Sequence, residues 1–332
     1  MKTLKISFLQ STPDFGREGI LQLLKDRYHV VEDNTDFDYL IATPWFYVNR
    51  QAFYDFLERA PGHITVMYAC HEAIAPDFML FDYYIGLDTV PGSGRTVKLP
   101  FLRHHLQEVH GGKEGLDARA LLASKTGFCN FIYSNRKSHP NRDAIFHKLS
   151  AFRFVNSLGP HLNNTPGDGH QSEDWYSSSI RMKKPYKFSI AFENAWYPGY
   201  TSEKIVTSML AGTIPIYWGN PDIGREFNSA AFINCHDFPT LDDAVAYVKK
   251  VDEDDGLWCE IMSRPWKTPE QEALFLEETE RETAKLYRIF DQSPEEARRK
   301  GDGTWISYYQ RFLKRGHRLR LAWRRLKKRL RK

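Results

Sequence analysis

A chain of 332 residues, 42% hydrophobic and 27% charged, is long enough for two α/β domains with separate cores, and none of its apolar runs reaches membrane-spanning length. The opening Ile6-Ser7-Phe8-Leu9 run is too short for a secretory signal, and Cys70, Cys129, Cys235 and Cys259 lack CxxC or zinc-finger spacing, so they read as reduced thiols of a soluble, cytoplasmic protein. The net charge of +4 hides an asymmetry: Arg311–Lys332 holds twelve Lys and Arg and no acid, which leaves −8 for residues 1–310.

Residues 1 to about 150 alternate strand and helix signals. Apolar runs at Leu4–Leu9, Tyr28–Val31, Phe37–Ala42, Ile64–Tyr68, Tyr83–Leu87 and Phe131–Tyr133 read as strands, with helical periodicity at Gly19–Arg27 and Asn49–Ala60 between them. That is the pattern of an open, doubly wound sheet. Asp36-Phe37-Asp38 has the D-x-D form of a metal site, but it opens an apparent buried strand and reads as loop and strand start. Asn141-Arg142 opens a helix that runs to Phe152, shortly after Ser134-Asn135 ends a strand. A second alternating block spans about Leu158 to Lys250, and Leu162–Ser179, rich in Asn, Gly, Ser, Asp and His, reads as a mobile loop at the mouth of a cleft.

The most informative segment follows. Lys187–Phe192 is a strand covered on both faces, Glu193 and Asn194 begin a loop broken by Pro198 and Gly199, and Ser202 is placed to cap a helix with Glu203 and Lys204 in its first turn. Gly212 ends that helix, and Thr213–Trp218 is the next strand. Polar side chains at a helix start beyond the carboxyl end of a strand suit a diphosphate, with no Gly-rich P-loop; an ordinary crossover with a capped helix has the same spacing. Residues 252–300 are charged and helical in pattern, and Pro269–Phe290 reads as a long solvated helix closing the second domain.

The segment Lys187–Pro221 resembles the donor-site motif of the α1,3-fucosyltransferases, an inverting, GDP-fucose-dependent family. The resemblance rests on Phe192-Glu193-Asn194, on Tyr200-Thr201-Ser202-Glu203-Lys204 and on the Gly212-Thr213-Ile214-Pro215 strand start. Ala195 replaces the commoner serine and Thr201 stands where valine is usual; a weaker likeness extends from about Asp38 to about Phe238. The resemblance implies a GT-B fold of two Rossmann-like domains facing a cleft. The expected division is an acceptor-binding domain over 1–150, a GDP-fucose-binding domain over 151–300 and a basic tail over 301–332.

Fucosyl transfer with inversion needs a base for the acceptor hydroxyl and positive charge for the departing diphosphate. By resemblance Glu72, which precedes Pro76-Asp77-Phe78 and Phe81-Asp82-Tyr83, is the catalytic base, with His71 as runner-up. Arg142 and Lys204 would neutralise the diphosphate, although Arg136 and Lys137 lie close to Arg142 in sequence. Asn194 and Tyr200 would bond the phosphates or the fucose, and Glu203 the ribose hydroxyls; Glu193 would either approach the fucose or orient the loop. Val155-Asn156-Ser157-Leu158-Gly159 departs from the family's V-D-S-G-G, which implies different contacts to the guanine or ribose there. No metal or other cofactor is expected.

In the tail, Phe312, Leu319, Trp323, Leu326 and Leu330 fall on one helical face amid Lys and Arg. An apolar stripe with a tryptophan favours an anionic membrane surface over nucleic acid. The expected protein is therefore a cytoplasmic, membrane-peripheral α1,3-fucosyltransferase acting on an N-acetylglucosamine-containing glycan such as a lipopolysaccharide precursor. Its rivals are another linkage (α1,4), another GDP-sugar, or a non-enzymatic membrane or nucleic-acid adaptor. Acceptor choice is expected in Asp77–Met79 and Arg103–Lys113.

Overall fold

The computed structural model describes residues 1–9, 14–69, 72–99, 115–166, 174–300 and 303–329, and Cys70, His71, the 103–113 loop and Leu330 lie outside the described residues. The chain forms two units, one of residues 1–99 with 280–332 and one of residues 100–279. In the first unit β1 (Thr3–Phe8), α1 (Asp14–Lys25), β2 (His29–Glu32), β3 (Tyr39–Ala42), α2 (Trp45–Val48), α3 (Arg50–Arg59), β4 (Ile64–Tyr68), β5 (Tyr83–Gly86) and β6 (Thr96–Lys98) follow in sequence. The six strands are parallel, in the order β2-β1-β3-β4-β5-β6. Every residue of β3 and β4 is buried, as apolar runs covered on both faces require. Asn49 starts α3 by accepting the Gln51 and Ala52 N–H groups.

The second unit contains α4 (Ala118–Ala123), β7 (Gly127–Phe131), α5 (Asn141–Ser150), β8 (Val155–Ser157), α6 (Trp175–Lys183), β9 (Tyr186–Phe192), α7 (Glu203–Leu210), β10 (Ile214–Trp218), β11 (Ile233–Asn234), α8 (Leu241–Glu253) and α9 (Asp255–Ser263). Its five strands are also parallel, in the order β11-β10-β9-β7-β8. The chain winds from β7 outward to β8, then returns to β9 on the other side of β7. The topological switch point therefore lies between β7 and β9, where open α/β sheets bind ligands beyond the carboxyl ends of the strands.

The helix α10 (Pro269–Asp291) begins in the second unit and ends in the first. Its Leu286, Ile289 and Phe290 pack with Leu4, Tyr39 and Ile85, and α11 (Pro294–Ala297) adds Ala297 to that core. The final helix, α12 (Thr304–Arg329), sets Tyr309 and Leu313 against the cluster of Phe46, Phe56 and Phe81.

Three expectations change. The boundary near 150 moves to 99/100, because β7 pairs with β8 and β9; continuous strand–helix alternation does not mark which sheet a strand joins. The far end of the expected 162–179 loop is the start of α6, which is capped by the Asp174 side chain. The 269–290 helix does not only close the second unit, since its last turns are buried in the core of the first. In fold class the protein is α/β with two Rossmann-like parallel sheets, as expected of a GT-B chain.

Candidate active site

Burial of β9 dictates the geometry beyond its end. Glu193, the first residue past the strand, is fully buried. A carboxylate there requires donors, and it accepts from the Ser202 N–H at 2.9 Å, from the Ser202 hydroxyl at 2.7 and 2.9 Å, and from Lys204 at 3.1 Å. Ser202 stands at the N-cap of α7, yet its hydroxyl makes no cap bond; the buried carboxylate has taken it instead. The expected Ser202 cap is thus replaced by Glu193, which orients the loop and fixes where α7 begins. Gly219 completes the fit: at φ +151° a Cβ there would come within 2.5 Å of the Glu193 side chain.

Lys204 lies between two acids, 3.1 Å from Glu193 and 3.2 Å from Glu203. Burial alone would lower its amine, but the two carboxylates outweigh that and hold it well above the ordinary lysine value. Burial pushes Glu193 up, opposed by Lys204, whereas Lys204 and other donors overcome burial to hold Glu203 below the usual carboxylate range.

Arg142 enters from the β7 side, in the first turn of α5, and is fully buried. Its guanidinium sits 4.2 Å from the centroid of the Tyr133 ring and donates to the Asn135 carbonyl at 3.4 Å and to Asn194 Oδ1 at 2.5 Å. The Tyr133 hydroxyl ties the two strands by accepting the Phe192 N–H at 2.8 Å, within donating distance of the Ile190 carbonyl. One Arg142 donor, Nε, is buried with no hydrogen-bond partner among the described residues.

These side chains line a cavity of about 200 Å³ beyond the carboxyl ends of β7 and β9. Its walls include Arg142, Asn194, Glu203 and Lys204, together with Lys183 and Thr207. Tyr200 and Glu193 are not in the wall. Tyr200 is 2% exposed and its hydroxyl accepts from Asn194 Nδ2 at 3.3 Å, so it holds Asn194 from behind. Glu72 belongs to the first unit, past β4, where it is exposed and its N–H donates to the Ala69 carbonyl at 2.9 Å.

Sequence reasoning missed Tyr133, Thr207 and Lys183. Lys183 reads as one member of Arg181-Met182-Lys183-Lys184, an ordinary basic helix end. Only the packing of α6 on α7 shows that it turns inward, 5% exposed. His139 and His236 were likewise unread; His236 stacks on Trp218 and His139 meets the same ring at a tilt, and His236 accepts the Gly219 N–H at 3.1 Å, so it is neutral there. Three or more His, Cys, Asp or Glu side chains placed to hold a metal ion do not occur among the described residues.

A profile of glycosyltransferase family 10 (fucosyltransferase), C-terminal part, matches residues 122–294. A protein of Acanthamoeba polyphaga mimivirus provisionally named a fucosyltransferase is 33% identical over 190 residues, covering 56% of this chain and 31% of the relative. The α-(1,3)-fucosyltransferase of Helicobacter pylori is 29% identical over 233 residues, 60% of this chain and 47% of that one. The chain thus spans between about a third and a half of the length of these curated relatives. A crystal structure of an α1,3-fucosyltransferase with GDP-fucose superposes with a TM-score of 0.64 at 25% identity, over 81% of this chain and 84% of that one.

Proposed function

The chain belongs to glycosyltransferase family 10, the fucosyltransferases, and from that premise we propose that it moves fucose from GDP-fucose to an N-acetylglucosamine-containing glycan in α1,3 linkage. The observation that carries the reading is the cavity at the second unit's switch point, where buried Arg142 and largely covered Lys204 face a space of diphosphate chemistry and, among the described residues, Arg142 Nε has no hydrogen-bond partner. The H. pylori relative's α-(1,3) designation and the solved homologue with GDP-fucose support donor and linkage.

In this mechanism the acceptor oxygen attacks the anomeric carbon of fucose as the bond to the GDP β-phosphate breaks, inverting the configuration. Arg142 and Lys204 stabilise the charge on the departing GDP, Asn194 is held for the same ligand by Tyr200 and Arg142, and Glu203 accepts from the ribose hydroxyls. Glu72 takes the proton of the acceptor hydroxyl. The two cations perform the neutralisation that other transferases assign to a metal ion, so transfer proceeds in EDTA.

The last helix supports a membrane-peripheral, cytoplasmic placement with a lipid-linked acceptor such as a lipopolysaccharide precursor. Trp305, Tyr308, Phe312, Leu319 and Trp323 are more than half exposed and recur on one face of α12, within a segment rich in Lys and Arg. Among the described residues no helix is long and apolar enough to cross a membrane.

The test is transfer by the Glu72→Ala chain. Turnover is expected to drop by at least about 100-fold with GDP affinity unchanged. Wild-type turnover would remove Glu72 from the base role.

A further inference from the structure

Resting on the donor-site reading above, we propose that Lys183 is a further nucleotide-binding residue, and that it takes up a proton when a nucleoside diphosphate enters the cavity. Lys183 closes α6 and lines the same cavity wall as Arg142, Glu203 and Lys204. Its amine donates to Thr207 Oγ1 at 2.6 Å and to Ser208 Oγ at 3.3 Å. Both hydroxyls spend their own protons on α7, Thr207 on the Glu203 carbonyl at 2.9 Å and Ser208 on the Lys204 carbonyl at 2.7 Å. A neutral amine has two N–H groups, and both are used here. Protonation adds a third donor, which is available to whatever occupies the cavity.

The surrounding charges explain why that proton is absent beforehand. Glu203 and Lys204 face Lys183 from α7, Glu193 from the end of β9, and Arg142 shares the cavity from α5. Two carboxylates balance two cations, so the cluster is neutral with Lys183 uncharged. Among the described residues no carboxylate forms an ion pair with Lys183. Burial pushes its amine down to about 7, against a smaller upward pull from Glu203. A diphosphate brings negative charge into this balanced cluster, and protonated Lys183 is the group that answers it.

The sign follows. Below about pH 7 Lys183 is already charged and binding needs no proton. Above that value binding takes one up, so affinity falls as pH rises, by up to about tenfold per pH unit. The experiment is calorimetric titration of the full chain with GDP near pH 8, in buffers of different ionisation enthalpy. The observed enthalpy should track the buffer, with most of one proton taken up. Lys183→Arg, charged throughout, and Lys183→Met, never charged, should both lose that dependence.

Buffer-independent enthalpy in the wild-type chain, or unchanged buffer dependence in both variants, would overturn the proposal. Should neither variant fold, the wild-type affinity between about pH 7.5 and 8.5 decides it, since a flat profile is the contrary result. GDP binding without proton uptake defeats this inference alone. Absence of GDP binding to the wild-type chain defeats the donor-site reading and the inference with it.

Discussion

Glu193 shows how one buried carboxylate can organise a site without entering it. It takes the N–H and hydroxyl of Ser202 and the ammonium of Lys204, and Gly219 leaves the space it occupies. Gly219→Ala would put a Cβ against this side chain at a backbone angle that favours glycine. The expected cost is about 1–3 kcal/mol of stability with weakened GDP binding, read by denaturant unfolding and calorimetry. An unaltered midpoint and affinity would mean that the Glu193 anchor is not what fixes the start of α7.

Lys183 carries a second consequence at this scale. Its folded-state amine sits near 7, against 10.5 for an ordinary lysine, so between these values the unfolded chain binds more protons. The folded state therefore gains stability from this residue as pH rises from about 7 toward 10.5. Lys183→Met should flatten that rise, and thermal melts of both chains across the interval check it. The motif residues were legible because charge, aromatic, Gly and Pro positions coincide in one short segment. Lys183 and Tyr133 were not, because their inward direction depends on how α6 and β7 pack, which no local pattern encodes.

At the scale of elements, Asp82 is the clasp of the first unit. Buried at the foot of β5, it accepts from the Thr65 N–H and hydroxyl at 2.8 Å, and from the Arg299 N–H at 2.9 Å and the Lys300 N–H beyond it. The chain returning after α11 is thereby fixed to β4 and β5. Asp82→Ala would strand these donors, at an expected cost of about 2–4 kcal/mol, with earlier proteolysis at Arg299 and Lys300. A protease-resistant variant of wild-type stability would contradict the clasp. In the sequence Phe81-Asp82-Tyr83 read only as part of a motif after Glu72, because its partner lies more than two hundred residues downstream. Long apolar strands such as β4 and β9 were legible; three-residue β6 and β8 were not, since they are held by neighbours rather than by an apolar run of their own.

For the molecule as a whole, the alternation of strand and helix gave the class, whereas the division into units required pairing that alternation does not contain. The tail has the same lesson. Its basic stripe was visible, but Tyr309 and Leu313 also pack on the first unit's core, so α12 is partly structural. Truncation after residue 316, which removes Leu319, Trp323 and most of the tail's basic residues, is expected to keep stability and turnover while weakening binding to anionic vesicles. Truncation after 303 should in addition destabilise the first unit. Vesicle co-sedimentation unchanged in the shorter truncation would assign membrane binding elsewhere.

The most direct measurement is mass spectrometry of N-acetyllactosamine incubated with the purified chain and GDP-fucose in the presence of EDTA. A product heavier by one deoxyhexose, bearing fucose at O3 of N-acetylglucosamine, is predicted. Unmodified acceptor together with intact GDP-fucose, from a chain whose melting GDP does not shift, would contradict fucosyl transfer as its function.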